Sequence, residues 1–149
     1  IIDRIEKCKG LHIGALTAER VKNEIGSLAT GARGTTVAEG SLVGAMRPGS
    51  ASVRAEEIEP CIRTYIDKIL EYAMLVLEKL PAEVAAAVNG NGVYLSGGVA
   101  KISFVPEYIG KKLDMRVHVC DEPQFAVVTG GGVAVRDERL MSKICRTEE

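Results

Sequence analysis

Val93-Tyr94-Leu95-Ser96-Gly97-Gly98-Val99-Ala100 is the stretch that decides the fold class. Three residues of strand type run into paired glycines, and the chain then turns toward a helix. Two residues without a Cβ leave the main chain uncovered, so a phosphate or nucleoside can lie directly on backbone amides. In open α/β sheets, ligands sit at such carboxyl ends of strands. A plain tight turn needing positive φ uses the same glycines, and the pair alone does not choose between the two. The stretch is neither G-x-x-x-x-G-K-[ST] nor G-x-G-x-x-G.

Downstream, Pro106 to Leu113 reads as a helix, Met115-Arg116-Val117-His118-Val119 alternates like a strand, and Gln124 to Arg136 reads as a helix. Strand, glycine turn, helix, strand, helix is the punctuation of an α/β unit with a parallel strand pair. Gly130-Gly131-Gly132 inside the last helix would cost about 3 kcal/mol summed. Such a run points to close backbone approach, and helix–sheet packing is the reading preferred here. His118, between Val117 and Val119, reads as structural.

Upstream, Asn89-Gly90-Asn91-Gly92 reads as a turn, and Pro81 opens a short helix through Val88. Glu56 to Leu80 is the longest element. Ile58, Ile62, Tyr65, Ile69, Ala73, Val76 and Leu80 follow steps of three and four, and Ile66, Leu70 and Leu77 widen the stripe, so this helix is predicted to be substantially buried. Residues 30–54 are rich in Gly, Thr, Ser and Val and predict short antiparallel strands near 35–39, 42–46 and 50–54. Residues 1–9 read as a helix end stopped by Gly10.

Between them lies Thr17-Ala18-Glu19-Arg20-Val21-Lys22-Asn23-Glu24-Ile25-Gly26, a helix predicted to start with Thr17 as its N-cap and to run to about Leu28. Ala18, Val21, Ile25 and Leu28 form one core-facing stripe. Glu19, Lys22 and Gly26 form a second stripe beside it. A carboxylate there can accept bonds from ribose hydroxyls and the ammonium can donate. Gly26 in a helix costs roughly 1 kcal/mol relative to Ala, and room for a flat ring is one use for that cost. A solvated Glu–Lys pair is the bland alternative.

Composition narrows the function classes. The chain has 149 residues, 19 Lys plus Arg, 20 Asp plus Glu and a formal net charge of −1, so no basic field exists for nucleic acid. Four Tyr, two Phe and no Trp make base-stacking platforms an unlikely design. No apolar run approaches the roughly 20 residues of a membrane span. Cys8, Cys61, Cys120 and Cys145 are widely spaced, which fits reduced cytosolic thiols better than a zinc site. A chain that opens at Ile1 in mid-pattern reads as part of a longer protein.

The motifs, in this order, resemble the second large domain of the MreB family of bacterial actin-like rod-shape proteins, related to actin, DnaK-type chaperones and sugar kinases. Ile13-Gly14 through Thr17-Ala18-Glu19-Arg20-Val21-Lys22-Asn23-Glu24-Ile25-Gly26-Ser27 resembles the family's I-G-x-x-T-A-E-R-x-K-x-E-I-G-S. Leu80-Pro81-Ala82-Glu83-Val84-Ala85 resembles T-P-P-E-L-A, and the Val93–Ala100 stretch resembles I-V-L-T-G-G-G-A. Asp121-Glu122-Pro123 followed by Gly130 resembles E-D-P and its closing glycine. The likeness runs from about residue 1 to 136.

The resemblance implies an α/β, actin-like ATPase domain of the ribonuclease H-like kind, present as part of the second domain with a small α+β subdomain. It implies a large subdomain from 1–29 and 59–140, a small-subdomain insertion at 30–58 and a polar tail at 141–149. It implies ATP or GTP with magnesium in the full-length protein, with Glu19, Arg20, Val21, Lys22 and Gly26 on one side and Gly97, Gly98, Val99, Ala100 and Lys101 on the other. Val99 stands where the family has its third glycine, and Lys101 where it has an apolar residue. The family's D-x-G-G-G-T phosphate loop does not occur in these residues, so no tightly bound nucleotide and no ATP hydrolysis are expected of them alone. The resemblance further implies cytoplasmic filaments that guide cell-wall synthesis, with membrane contact through parts outside this chain. An apolar strand edge at Val93–Leu95 adds an expectation of self-association. A DnaK-like chaperone lobe is the rival reading, and a non-binding structural remnant the third.

Overall fold

A computed structural model describes residues 1–45 and 47–144. Helix α1 (Ile2–Lys9) ends at Gly10, which takes the left-handed conformation at φ 61° and so closes the helix as expected. A two-residue strand, β1 (Leu11–His12), leads into α2 (Ala15–Ile25). The cap of α2 is Gly14 and not Thr17. The Ala18 N–H already donates to the Gly14 carbonyl at 3.0 Å, which puts Thr17 inside the first turn. At the other end Gly26 is extended (φ −66°, ψ 127°), so the helix stops short of Leu28.

Strands β2 (Thr35–Leu42) and β3 (Pro48–Arg54) form an antiparallel hairpin in which Thr35 faces Arg54 and Ser41 faces Pro48. Two strands stand where the sequence predicted three, and β1 completes the sheet by pairing Leu11 with Leu42. The misreading turns on Gly40. It marks no turn but a close approach, because a Cβ there would overlap the His12 carbonyl oxygen. The reversal falls later, around Gly44 at φ 78°. Met46, at the end of the predicted 42–46 strand, lies outside the described residues.

Helix α3 (Ala55–Leu77) buries Ala55, Ile58, Ile62, Ile66 and Leu70, so of the expected stripe Ile58 and Ile62 are inside, Tyr65 and Ile69 are exposed with the flanking Ile66 and Leu70 buried instead, and Leu80 lies past the helix end. Its last turns do not follow. Ile69, Tyr72, Leu75 and Val76 are exposed, because α1, the sheet and the later helix α5 (Val105–Leu113) cover only the first part of α3. Helix α4 (Ala82–Asn91) follows Pro81 and runs through the predicted Asn89–Asn91 turn to Gly92. Gly92 is the true stop, with φ 80° and no space for a Cβ beside the Arg116 carbonyl.

Strand β4 (Val93–Leu95) pairs in parallel with β5 (Val117–Val119), the expected α/β pair. Between them lie a single 3-10 turn, Gly98–Lys101, and α5. His118 stacks on Tyr94 at 4.8 Å between ring centroids, in keeping with its structural reading. Helices α6 (Ala126–Arg136) and α7 (Glu138–Ile144) follow. Neither they nor α4 bury any residue. The helix–sheet packing expected at Gly130-Gly131-Gly132 is not found among the described residues, since nothing lies within 4 Å of where their Cβ atoms would be. Residues 141–144 belong to α7, and the rest of the expected polar tail, Cys145 included, lies outside the described residues. Cys8, Cys61 and Cys120 are free thiols.

One apolar cluster joins Ile5, Leu11, Val21, Val53, Ile58, Ile66, Val105 and Ile109, so the three-stranded sheet, α1, the start of α3 and α5 share a core. That core is what fixes α2 and the loop after β4 relative to each other.

Candidate functional site

Helix α2 commits Ala18, Val21 and Ile25 to the core. The helical period then turns Glu19, Lys22 and Asn23 to an adjoining face, with Gly26 following at the helix end. These residues form one wall of a cavity of about 650 Å³. Gly98, Val99, Lys101, Ile102 and Ser103 form the facing wall, with Gln124 at its margin.

Main-chain bonds hold the walls together. Ser27 and Ser103 form a parallel bridge, and the Leu28 N–H donates to the Ser103 carbonyl at 2.9 Å. The buried Ser27 hydroxyl accepts the Ala29 N–H at 3.1 Å, which fixes the chain as it leaves the helix. On the other wall, Gly97 sits at φ 87°, a conformation that suits glycine, and donates its N–H to the Pro123 carbonyl at 2.6 Å. That bond ties the diglycine bend to the loop carrying Gln124. Gly98 itself faces open space.

Glu19 and Lys22 are 3.8 Å apart, with Lys22 the less exposed of the two. Glu24 also lines the cavity, but its carboxylate is engaged. It accepts the Thr36 hydroxyl and two bonds from Arg20 at 3.1 Å. The Thr36 bond first, and Arg20 second, hold the Glu24 carboxyl below the usual carboxylate range. Arg20 extends the same network to the Val37 carbonyl at 2.7 Å, so the cavity wall is anchored to the hairpin.

Of the residues predicted from sequence, Glu19, Lys22, Gly26, Gly98, Val99 and Lys101 line the cavity. Arg20 points to the hairpin, Val21 and Ala100 are buried, and Gly97 shapes the bend without lining the space. Gly26 lines the cavity, and a Cβ there would overlap the Lys22 carbonyl oxygen and come within 3.2 Å of Ile62, so the close approach at the helix end also calls for glycine. Asn23, Glu24, Ile102, Ser103 and Gln124 were missed. Asn23 was legible, four residues after Glu19 on the same helical face. Gln124 carries no signal, because a loop residue has no period to read.

The lining can accept hydroxyl protons at Glu19, donate from Lys22, and do both at the Asn23 and Gln124 amides. The family described as MreB/Mbl protein matches residues 1–143. The chain belongs to the MreB/Mbl family. The cell shape-determining protein MreB of Escherichia coli (strain K12) is 30% identical over 142 residues, which is 91% of this chain and 39% of that protein. The cell shape-determining protein Mbl of Bacillus subtilis (strain 168) is 28% identical over 134 residues, 89% of this chain and 40% of that protein. The chain thus spans about two fifths of the length of the curated relatives it matches.

MreB5 of Spiroplasma citri, in a crystal structure bound to AMPPNP, superposes with a TM-score of 0.86 at 26% identity, over 96% of this chain and 42% of that one. MamK in its double helical filament gives 0.70 at 23% identity over 91% of this chain and 42% of that one, a likeness of fold alone. The α/β, actin-like architecture expected from the MreB-type motifs is the architecture found, as a partial domain. No helix among the described residues is long and apolar enough to cross a membrane.

Proposed function

We propose that this chain is the nucleotide-holding part of the second domain of an actin-like, cell-shape-determining filament protein. One observation carries the reading: the Glu19–Lys22–Asn23 face of α2 and the backbone after Gly97 bound a single cavity of about 650 Å³. A nucleoside fits that chemistry. Glu19 would accept from the ribose hydroxyls, Lys22 would donate, and the open main chain at Gly98 would lie against the sugar and base. ATP or GTP would carry its magnesium on parts outside these residues.

In this reading residues 1–29 and 59–140 make up the large subdomain and 30–58 the small one. The protein works in the cytoplasm, self-associates, and reaches the membrane through other parts of the full-length protein. Homologues named cell shape-determining proteins support the role in cell shape, and the filament structure of MamK supports assembly.

The test is equilibrium binding of a fluorescent ATP analogue to the intact protein, with Glu19→Ala and Lys22→Ala made singly and together. Losing a bond to a charged group costs about 1.5–3 kcal/mol, so each single variant should bind about ten- to a hundredfold more weakly. Unchanged affinity in the double variant returns the two side chains to a solvated ion pair and removes the reading.

A further inference from the structure

We propose that a second groove, sharing no lining residue with the cavity above, receives an acidic peptide segment of a partner protein with an apolar side chain at its centre. The groove has a volume of about 620 Å³ and lies between the Leu28–Thr30 connection, α3 and the length of α5.

Phe104 stands at its edge with φ 63° and ψ 10°. A bulky L residue in the left-handed region is strained and persists where the surroundings hold it there. Burial does not account for it, because Phe104 is 52% exposed. The fold therefore presents an aromatic ring to solvent at a backbone position that glycine would occupy more easily.

Tyr108, one turn further along α5, is fixed before any partner arrives. Its hydroxyl donates to Asp67 Oδ1 at 2.6 Å, the Arg63 guanidinium lies 4.8 Å from its ring centroid, and the Lys112 ammonium lies 5.5 Å from it. A ring held this way loses little freedom on binding.

The charge on the groove sets the chemistry of the partner. Arg63, Lys111 and Lys112 line it against a single carboxylate, Glu107, in a chain whose formal net charge is −1. Glu59 and Asp67 bond Arg63 and Lys112 from outside the groove, and Lys111 enters no ion pair among the described residues. Aromatic rings beside Arg and Lys form a recognition surface for an apolar anchor flanked by carboxylates. A bare phosphate would use the cations and leave the rings uncovered, whereas an acidic peptide uses both.

Fluorescence polarisation on the full chain tests this, with a fluorescein-labelled peptide of central Leu-Phe flanked on both sides by Glu, and a second with Lys in place of Glu. The Glu peptide should bind saturably and more weakly as salt rises. The pair Lys111→Glu with Lys112→Glu, and separately Phe104→Gly, should each weaken it about tenfold or more. Phe104→Gly relaxes the backbone while removing the ring, so its melting curve should be kept or raised while binding falls. Absence of saturable binding, equal binding of the Lys peptide, unchanged affinity in the variants, or displacement by millimolar inorganic phosphate overturns the proposal. So does binding to phosphatidylglycerol vesicles in place of the Glu peptide.

Discussion

Helices α2 and α6 are both 11 residues long, and α6 is the more apolar, yet α2 buries three residues and α6 buries none. Hydrophobicity therefore does not separate them; the available partner does. Helix α2 has the hairpin on one side and α3 near its end, and its apolar stripe meets both. Helix α6 leaves Val127, Val128, Val133 and Val135 exposed although α7 lies beside it. The lesson extends along α3, where Ile58, Ile62, Ile66 and Leu70 are buried while Tyr65, Ile69 and Val76 of the same apolar surface are exposed. Burial is a relation between elements, and a pattern in one element states only what it offers.

The contrast is tested most severely in the shared core. Ile66, 1% exposed, should cost about 2–5 kcal/mol when truncated to Ala, read by urea denaturation. Val128→Ala, at a site 77% exposed, should fall within about 0.5 kcal/mol. Equal losses at the two sites would mean that α6 is packed in solution.

Glycines sharpen the same comparison at smaller magnitude. Gly92→Ala should destabilise by about 1–3 kcal/mol, because a positive φ and the Arg116 carbonyl both oppose a Cβ there. Gly131→Ala meets open space and should gain helix content, worth up to about 1 kcal/mol locally. Thermal melts followed by circular dichroism distinguish the two signs.

The smallest effect is electrostatic and belongs to the packed region. Glu57 accepts from Lys9 and from the Arg54 N–H, and these bonds, Lys9 first, hold its carboxyl below the ordinary 4.5. A depressed value stabilises the fold above the unfolded-state pKa, and that contribution disappears as pH falls through the folded-state value. Glu57→Gln should therefore lower stability near neutrality and flatten the acid side of a stability–pH curve. A parallel curve for the variant would remove Glu57 from the acid response.

Much of the fold was legible because periods are local. The spacing of Ile58, Ile62, Tyr65 and Ile69 gave α3 as a helix, though the buried line runs through Ile66 and Leu70 while Tyr65 and Ile69 face solvent, and Ala18, Val21 and Ile25 gave the inward face of α2. The residual face of α2 is where Glu19 and Lys22 fall. Glycine was read less well, because the letter does not say which of its uses applies. Gly40 was taken for a turn and is a crowded ladder position; Gly90 was taken for a turn and is helical, while Gly92 does the stopping. At Gly26 a close approach to the Lys22 carbonyl and a place on the cavity wall coincide. Gln124 and Ser103 reach the cavity through pairings far apart in sequence, which no single window contains.

The Ser27–Ser103 bridge has a consequence for how such a site changes over time. Peptide geometry, not side-chain size, sets the width of the cleft at that end, with the Leu28 amide and Ser103 carbonyl 2.9 Å apart. Residues around the opening are then free to drift in chemistry while the gauge stays constant. On the nucleoside reading proposed above, exchanging amides and charges around the opening would retune the preferred ring without rebuilding that frame.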